Sequence, residues 1–359
     1  MKLKIDPILK KQIIEREKNL PPFLNEPQIT EIGIFDYSYY KILLSLFKFF
    51  ILFRLKIIGT SYKDYDENLI DNDEVEKIYG REAKSYEQKH HITTNYRDTW
   101  WRRQVGIDIV SHAIHSKEPL KILDVATGVG LSVEEILKMM KLFNKKGVIS
   151  AIDYSQEMLN VAKSVTVPRL VKLNLINNEN AVKFLRADAR NLQKSELQTF
   201  TDNYFDCATI MFGIGGIDNP IQCLSEVLTV LKKGGTISMI DIHRPILSLE
   251  EKWPFFVFKR SANAFNILAW EQITKPIVLG KLWGWRDTTV LFYILPFIVI
   301  KDEKTNRLYS FKTKNFILDN EKWWFNLQVM FTGKIVAEKI EIDEKEYEYR
   351  RNVLLKLEI

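Results

Sequence analysis

Between residues 117 and 245, short apolar runs alternate with stretches of helical spacing. The runs Lys121–Val125, Gly147–Ile152, Val182–Ala187, Phe205–Phe212 and Thr236–Ile240 read as strands. Ser132–Phe143, Gln156–Ser164 and Pro220–Leu231 read as the helices between them. Short apolar strands joined by helices imply parallel pairing through crossovers, an α/β architecture. Lys232-Lys233-Gly234-Gly235 reads as a turn after a helix, with glycine where a left-handed cap is wanted. In the tail, Glu321–Phe331 predicts a helix ending near Gly333. Ile335–Ile342 and Val353–Ile359 then predict two strands joined by a charged turn, which makes a mixed sheet of seven strands.

The pattern divides the chain into five parts. Residues 1–74 form an N-terminal extension. Residues 75–116 read as a helical substrate lid rich in Tyr, His, Trp and Arg. Residues 117–245 hold the strand–helix core. Residues 246–319 read as an apolar cap inserted after the fifth strand, with WPFFVF, LWGW and VLFYILPFIVI as its aromatic runs. Residues 320–359 are the final helix and strand hairpin. A cap of this composition suits a large apolar or aromatic ligand, and equally an ordinary core. Within the extension, residues 39–58 read YYKILLSLFKFFILFRLKII. A spanning helix needs about 20 largely uncharged residues. Lys41, Lys48, Arg54 and Lys56 interrupt this one. The pattern predicts a helix lying in a membrane interface, with basic side chains snorkelling to anionic headgroups. A helix packed on the core is the alternative.

The core carries the candidate chemistry. In ILDVATGVG, residues 122–130, a strand ends near Asp124 and a tight turn with Gly128 and Gly130 opens a helix. Glycines there let the backbone approach a ligand closely. Ala126 takes the first small position, so the spacing is not GxGxxG, and a nicotinamide dinucleotide is disfavoured. In VISAIDYS, residues 148–155, Asp153 ends the second strand. A carboxylate at that edge suits the two ribose hydroxyls of a nucleoside, or alternatively caps a helix. In FLRADARNL, Asp188 and Ala189 follow the third strand, where a carboxylate and an N–H suit an adenine edge. Asp241 and His243 lie just past the fifth strand, at the edge where ligands bind in open sheets, and are the candidate acid–base groups. Tyr86, His90 and Arg97 are candidates to face a substrate from the preceding helices.

Composition narrows the picture little. The 359 residues are 46% hydrophobic and 27% charged, a foldable composition. The net charge of +6, without basic runs interleaved with aromatics, gives no expectation of nucleic acid. Two cysteines, Cys207 and Cys223, without a CxxC or Cys/His cluster, predict no metal site and fit a reducing, cytoplasmic compartment. The N-terminus MKLKIDPILKKQIIERE is too charged for the apolar core of a signal peptide.

Taken together, ILDVATGVG, VISAIDYS, FLRADARNL and YFDCATIMFGIGGIDN, in this order and spacing, resemble the class I S-adenosylmethionine (SAM)-dependent methyltransferases. The segment YGREAKSYEQKHHITTNYRDTWWRR and the FDC..I.FG pattern narrow the resemblance to the C-methyltransferases of menaquinone and ubiquinone biosynthesis. The resemblance implies a Rossmann-like fold, SAM as cofactor and methyl transfer to a lipophilic or aromatic small molecule, with a quinone precursor as one candidate. It implies that Asp124, Gly128 and Gly130 shape the methionine side of the pocket and Asp153 holds the ribose. Tyr154 and Met158 would flank the adenine, Asp188 and Ala189 would contact its edge, and Met211 would meet the ligand from the fourth strand. One departure stands out: the family's Arg-Asn pair after that strand is replaced here by Gly215 and Gly216. The departure leaves a second expectation open, a non-catalytic SAM-binding or interaction protein on the same fold.

Overall fold

The computed structural model describes residues 34–57, 72–94, 96–112, 119–177, 182–193, 199–243, 264–272, 274, 288–318 and 332–357. The five core runs form β1 (Leu120–Val125), β2 (Gly147–Asp153), β3 (Val182–Arg186), β4 (Phe205–Met211) and β5 (Leu231–Ile242). Three more strands follow: β6 (Val299–Lys301), β7 (Leu308–Leu318) and β8 (Thr332–Ile342). All eight join one sheet in the order β3-β2-β1-β4-β5-β8-β7-β6. β1 to β5 pair in parallel, whereas β8 runs antiparallel between β5 and β7.

Side chains alternate across a strand, so each sheet face gathers its own core. Leu123, Val125, Ile210 and Ile237 face one cluster, closed by α8 (Pro220–Val230) and α9 (Thr288–Ile294). Ile122, Ile149, Ala151 and Cys207 face the other, closed by α4 (Asp98–His112), α5 (Leu131–Leu142) and the helices after β2. Those last helices are α6 (Gln156–Val161) and α7 (Val167–Lys172), continuous through a π turn at Ala162–Thr166. Pro168 has no N–H to extend the helical ladder, and the widened turn falls just before it. Before the sheet come α1 (Ile34–Ile57), α2 (Asn72–Glu82) and α3 (Tyr86–Thr93).

The structure corrects the expected tail and strand count. Val353–Lys356 is not strand but the end of a helix, α10 (Glu344–Lys356). Asp343 caps it by accepting the Glu346 N–H at 2.8 Å, and Glu344 and Glu346 sit in its first turn, so local helix signals outweigh the apolar VLL run. The partner of β8 is β7, which lies inside the segment read as a cap. Among the described residues the sheet has eight strands rather than seven, because the three-residue β6 adds an edge next to β7. The KKGG turn is absorbed into β5: Gly234 keeps a left-handed φ of 80°, and the pairing with β4 shifts register opposite Phe205 and Cys207. Val290, Phe292, Leu295 and Ile298 of the apolar run fill the core under the sheet. The expected helix at Glu321–Phe331 and the runs WPFFVF and LWGW lie outside the described residues.

Candidate active site

The carboxyl ends of β1, β2, β3 and β4 converge on one cleft enclosing about 740 Å³ of free space, its open mouth included. Its floor is the turn after β1. Gly128 holds φ at 57°, and a Cβ placed there meets no atom within 4 Å, so the turn presents bare backbone to open space. Gly130 is needed for packing instead, since its absent Cβ leaves room for the Phe184 ring, 3.0 Å from where that carbon would stand. Ala126 and Phe212 also adopt left-handed φ values, 53° and 57°. Such values are costly for side-chain-bearing residues and collect at functional sites.

Asp153 stands at the mouth of β2. Its Oδ2 accepts the Gly128 N–H at 2.7 Å, and its Oδ1 accepts the Ser155 N–H at 2.9 Å. Each oxygen keeps a lone pair for a ligand. Burial pushes this carboxyl up to about 6, while the Ser155 and Gly128 amides pull against that rise. The helix cap expected as the alternative falls to Ser155, whose Oγ accepts the Met158 N–H at 3.4 Å. Tyr154, Met158, Asp188 and Ala189 line the same cleft. The Asp188 carboxylate is gripped by Arg190, at 2.9 Å from Nε and 2.7 Å from Nη2, and Arg190 reaches on to Asp218 at 2.6 Å. Burial raises the Asp188 pKa, but these hydrogen bonds win and hold it below its ordinary value.

Three other residues expected at the cofactor do not line the cleft. Gly130 packs beneath it. Met211 is buried in the core beside α4, and its neighbours Phe212 and Gly213 form the wall instead. Asp124 is fully buried, its Oδ1 taking the Thr209 hydroxyl at 2.6 Å and its Oδ2 without a hydrogen-bond partner. Burial pushes its pKa up to about 6.

The preceding helices close the cleft from above. Tyr79, Tyr86 and Glu76 line it, and Glu76 ties α2 to β3 through Arg186 at 3.2 Å. Behind the Tyr86 and Phe212 rings lies a buried charge cluster. His90 packs on both rings, at 5.6 and 5.0 Å between centroids. Asp98 Oδ1 contacts His91 Nδ1 at 2.9 Å and the Thr94 hydroxyl at 3.0 Å. Its Oδ2 faces His90 Nδ1 at 3.7 Å and Arg102 Nε at 3.9 Å, both beyond hydrogen-bond reach. Arg102 donates to Ser132 at 2.6 Å and lies 5.0 Å over the Phe212 ring. Burial, and next the Arg102 charge, hold His90 well below its ordinary pKa. Arg97 sits apart, its guanidinium 5.6 Å over the Trp101 ring.

Asp241 and His243 are both buried, but Asp241 lies inside β5 rather than past it, paired with Gly333 of β8 because the strand runs on to Ile242; only His243 follows the strand. Asp241 Oδ1 accepts the Ile242 N–H at 2.7 Å, and its Oδ2 has no partner. Burial pushes the Asp241 carboxyl up to about 7, against the pull of the Ile242, Gly215 and Ile214 amides. Sequence reasoning missed Arg102, Asp98, Phe212 and Glu76. The i,i+4 spacing of Asp98 and Arg102 was the available signal for an ion pair on one helix face. Among the described residues no cluster of His, Cys, Asp or Glu is arranged to hold a metal.

The profile of the ubiE/COQ5 methyltransferase family matches residues 67–265. Demethylmenaquinone methyltransferases of Staphylococcus aureus strains MRSA252 and JH9 are each 27% identical over 193 residues, 54% of this chain and 70% of theirs. Among solved structures, phosphoethanolamine N-methyltransferase 1 of Haemonchus contortus is 11% identical, with a TM-score of 0.49 over 79% of this chain and 53% of its own. A SAM-dependent methyltransferase of Aquifex aeolicus is 17% identical, with a TM-score of 0.36 over 76% of this chain and 100% of its own.

The parallel sheet with its antiparallel β8, the glycine turn after β1 and the acid ending β2 define a SAM-dependent methyltransferase. The residues present fit that cofactor: a bare backbone turn faces open space, and a carboxylate with spare lone pairs stands beside it. The chain belongs to the ubiE/COQ5 methyltransferase family.

Proposed function

We propose that the chain methylates a ring carbon of a lipophilic, hydroxylated aromatic acceptor of the demethylmenaquinone type. The reading is supported by the family match and by the relatives' activity, together with a buried acid–base group beside the cleft. The single observation that carries it is Asp241, whose Oδ2 is buried without a partner and whose carboxyl is raised to about 7. A base with a pKa near the working pH suits removal of a phenolic proton.

When bound, SAM supplies an electrophilic methyl on a sulfonium. The protein's residues do the rest. Asp153 takes the ribose hydroxyls on its free lone pairs, while Tyr154 and Met158 hold the adenine faces. Ala189 presents its N–H to the adenine edge, and Asp188 holds that loop through Arg190. Gly128 admits the ligand to the backbone, and Asp124, buried out of the cleft, supports the end of β1 through the Thr209 hydroxyl. Tyr86 and Phe212 exclude water between cofactor and acceptor, with His90 packed behind them. Asp241 would take the acceptor's hydroxyl proton, raising electron density on the ring carbon; the S–CH3 bond would break as the C–CH3 bond formed, and the ring C–H proton would then leave to restore the aromatic ring. His243 is buried just after the same strand. Arg97 braces the helix carrying Asp98 and Arg102 through Trp101.

A lipid-borne acceptor places the enzyme on the cytoplasmic face of a membrane, held peripherally through residues 39–58. Among the described residues no helix is long and apolar enough to cross one. The test is methyl transfer from SAM to a reduced, short-chain naphthoquinol, followed by mass spectrometry. Wild type is expected to give a C-methylated product and Asp241→Asn almost none. Binding of SAM without transfer to any quinol tried would move the reading to a SAM-binding protein without catalysis.

A further inference from the structure

Two loops supply part of the cleft lining. Asp188 and Ala189 belong to the loop after β3, Gly216 and Ile217 to the loop after β4. Their strands are not neighbours, since β2 and β1 lie between them in the sheet. Strand pairing therefore does not fix how far apart the two loops stand. Arg190 joins them directly. Its Nε and Nη2 donate to the Asp188 carboxylate at 2.9 and 2.7 Å, and its Nη1 donates to the two oxygens of Asp218 at 2.6 and 2.7 Å. Asp188 Oδ1 also accepts the Arg190 backbone N–H at 2.9 Å, which seats the guanidinium against its own loop.

Exposed ion pairs contribute little to stability, but a forked guanidinium in a network is the exception. Here the three side chains are 20–26% exposed. A planar guanidinium presents separate edges to two carboxylates, which a compact ammonium does not. Asp218 directly follows the cleft residues Gly216 and Ile217 and precedes Asn219, whose side chain caps α8 by accepting the Gln222 N–H at 3.1 Å. The bridge thus fastens the second loop between its cleft-lining residues and the start of a helix. A separate tie runs nearby: Glu226 of α8 accepts the Leu192 N–H at 2.7 Å and the Gln193 N–H at 3.3 Å. Leu192 and Gln193 do not line the cleft, so that tie holds the first loop without holding a wall.

We propose that Arg190 is a positioning residue for the cofactor's nucleoside, holding the two loops at the separation the nucleoside needs by clamping Asp188 to Asp218. The inference rests on the SAM reading of the cleft and adds two residues, Arg190 and Asp218, that are not part of its lining. A ligand entering a clamped cleft meets walls that are already ordered, whereas an unclamped cleft must be ordered at the moment of binding, at the expense of affinity.

The test is calorimetric titration of the full chain with SAM and with 5′-methylthioadenosine, which carries the nucleoside without the amino-acid end, beside a ligand-free melt of each variant. Arg190→Met is expected to weaken both ligands by about tenfold, the same factor for each. Arg190→Lys keeps the charge but loses the fork, and is expected to fall between wild type and Arg190→Met. Asp218→Ala breaks only the arm between the loops and is expected to weaken both ligands in the same direction; it carries the test if Arg190→Met does not fold. The double variant is expected to bind no more weakly than Arg190→Met alone, because both changes break one clamp. Glu226→Ala is expected to lower the melting temperature and leave both affinities unchanged. Unchanged affinities in Arg190→Met, a loss for SAM without one for 5′-methylthioadenosine, additive losses in the double variant, or an equal loss in Glu226→Ala each overturn the clamp alone. Failure of the wild type to bind SAM overturns the cofactor reading, and the clamp with it.

Discussion

Replacing Asp153 with alanine separates the carboxylate's ligand role from its structural one. In the folded chain it accepts two backbone N–H groups, Gly128 at 2.7 Å and Ser155 at 2.9 Å. Both amides sit beside the open cleft, so water replaces part of what is lost. The expected destabilisation is therefore at the low end for unpaired donors, about 1 kcal/mol. The ligand loses more. Two ribose hydroxyls each forfeit a charged acceptor worth about 1.5–3 kcal/mol, or roughly 10²–10⁴ in SAM affinity together. Calorimetry of wild type and variant, with a thermal melt of each without ligand, reads the two effects apart. The pH dependence gives a second check. Burial raises the Asp153 carboxyl to about 6, and only the ionised form accepts from both hydroxyls without competition. SAM affinity is expected to be constant above about pH 7 and to weaken by about tenfold per unit below pH 6. An Asp153→Ala protein that binds SAM within about threefold of wild type would refute the reasoning.

The two glycines of the turn are expected to respond oppositely. Gly130→Ala sets a Cβ 3.0 Å from the Phe184 ring and 3.2 Å from Thr166 at φ 87°, and is expected to cost about 1–3 kcal/mol in a denaturant titration. Gly128→Ala meets no protein atom but projects into the cleft, so it is expected to weaken SAM binding by at least about tenfold with a smaller stability loss of about 1 kcal/mol. For Asp241, the folded pKa of about 7 lies above the unfolded value of about 4, so the folded state holds the extra proton between those values. Wild-type stability relative to Asp241→Asn is then expected to fall by about 1.4 kcal/mol per pH unit on going from pH 4 to 7, and kcat to rise with pH through about 7. A flat difference in paired melts across that window would count against the buried carboxyl. Arg102→Gln removes the charge facing Asp98 and the donor to Ser132, and is expected to cost about 3–5 kcal/mol. Adding Asp98→Asn is expected to recover part of that loss in a double-mutant cycle.

Local patterns along the chain determined much of this molecule. The five parallel strands announce themselves because strands buried on both faces are nearly continuous apolar runs. The turn ending at Gly130 and the acid at Asp153 are legible because close backbone approach and a carboxylate at a strand end leave marks in single residues. Other features depended on distant partners. β7 was invisible because its sequence LYSFKTKNFIL is half polar, and only pairing with β8 makes it a strand. Val353–Lys356 carries β-compatible residues, but the Asp343 cap, well upstream, commits it to a helix. Residues 39–58 displayed both apolar bulk and charge, and only packing against 264–272 decided which side faces inward. The Asp98–Arg102 cluster lies behind Phe212 because α4 crosses the end of a strand more than 100 residues later in the chain. Sequence fixes what each segment prefers by itself; the chemistry of Arg102, Asp98 and Asp241 arises from burial and mutual distance, which exist only once the chain has folded.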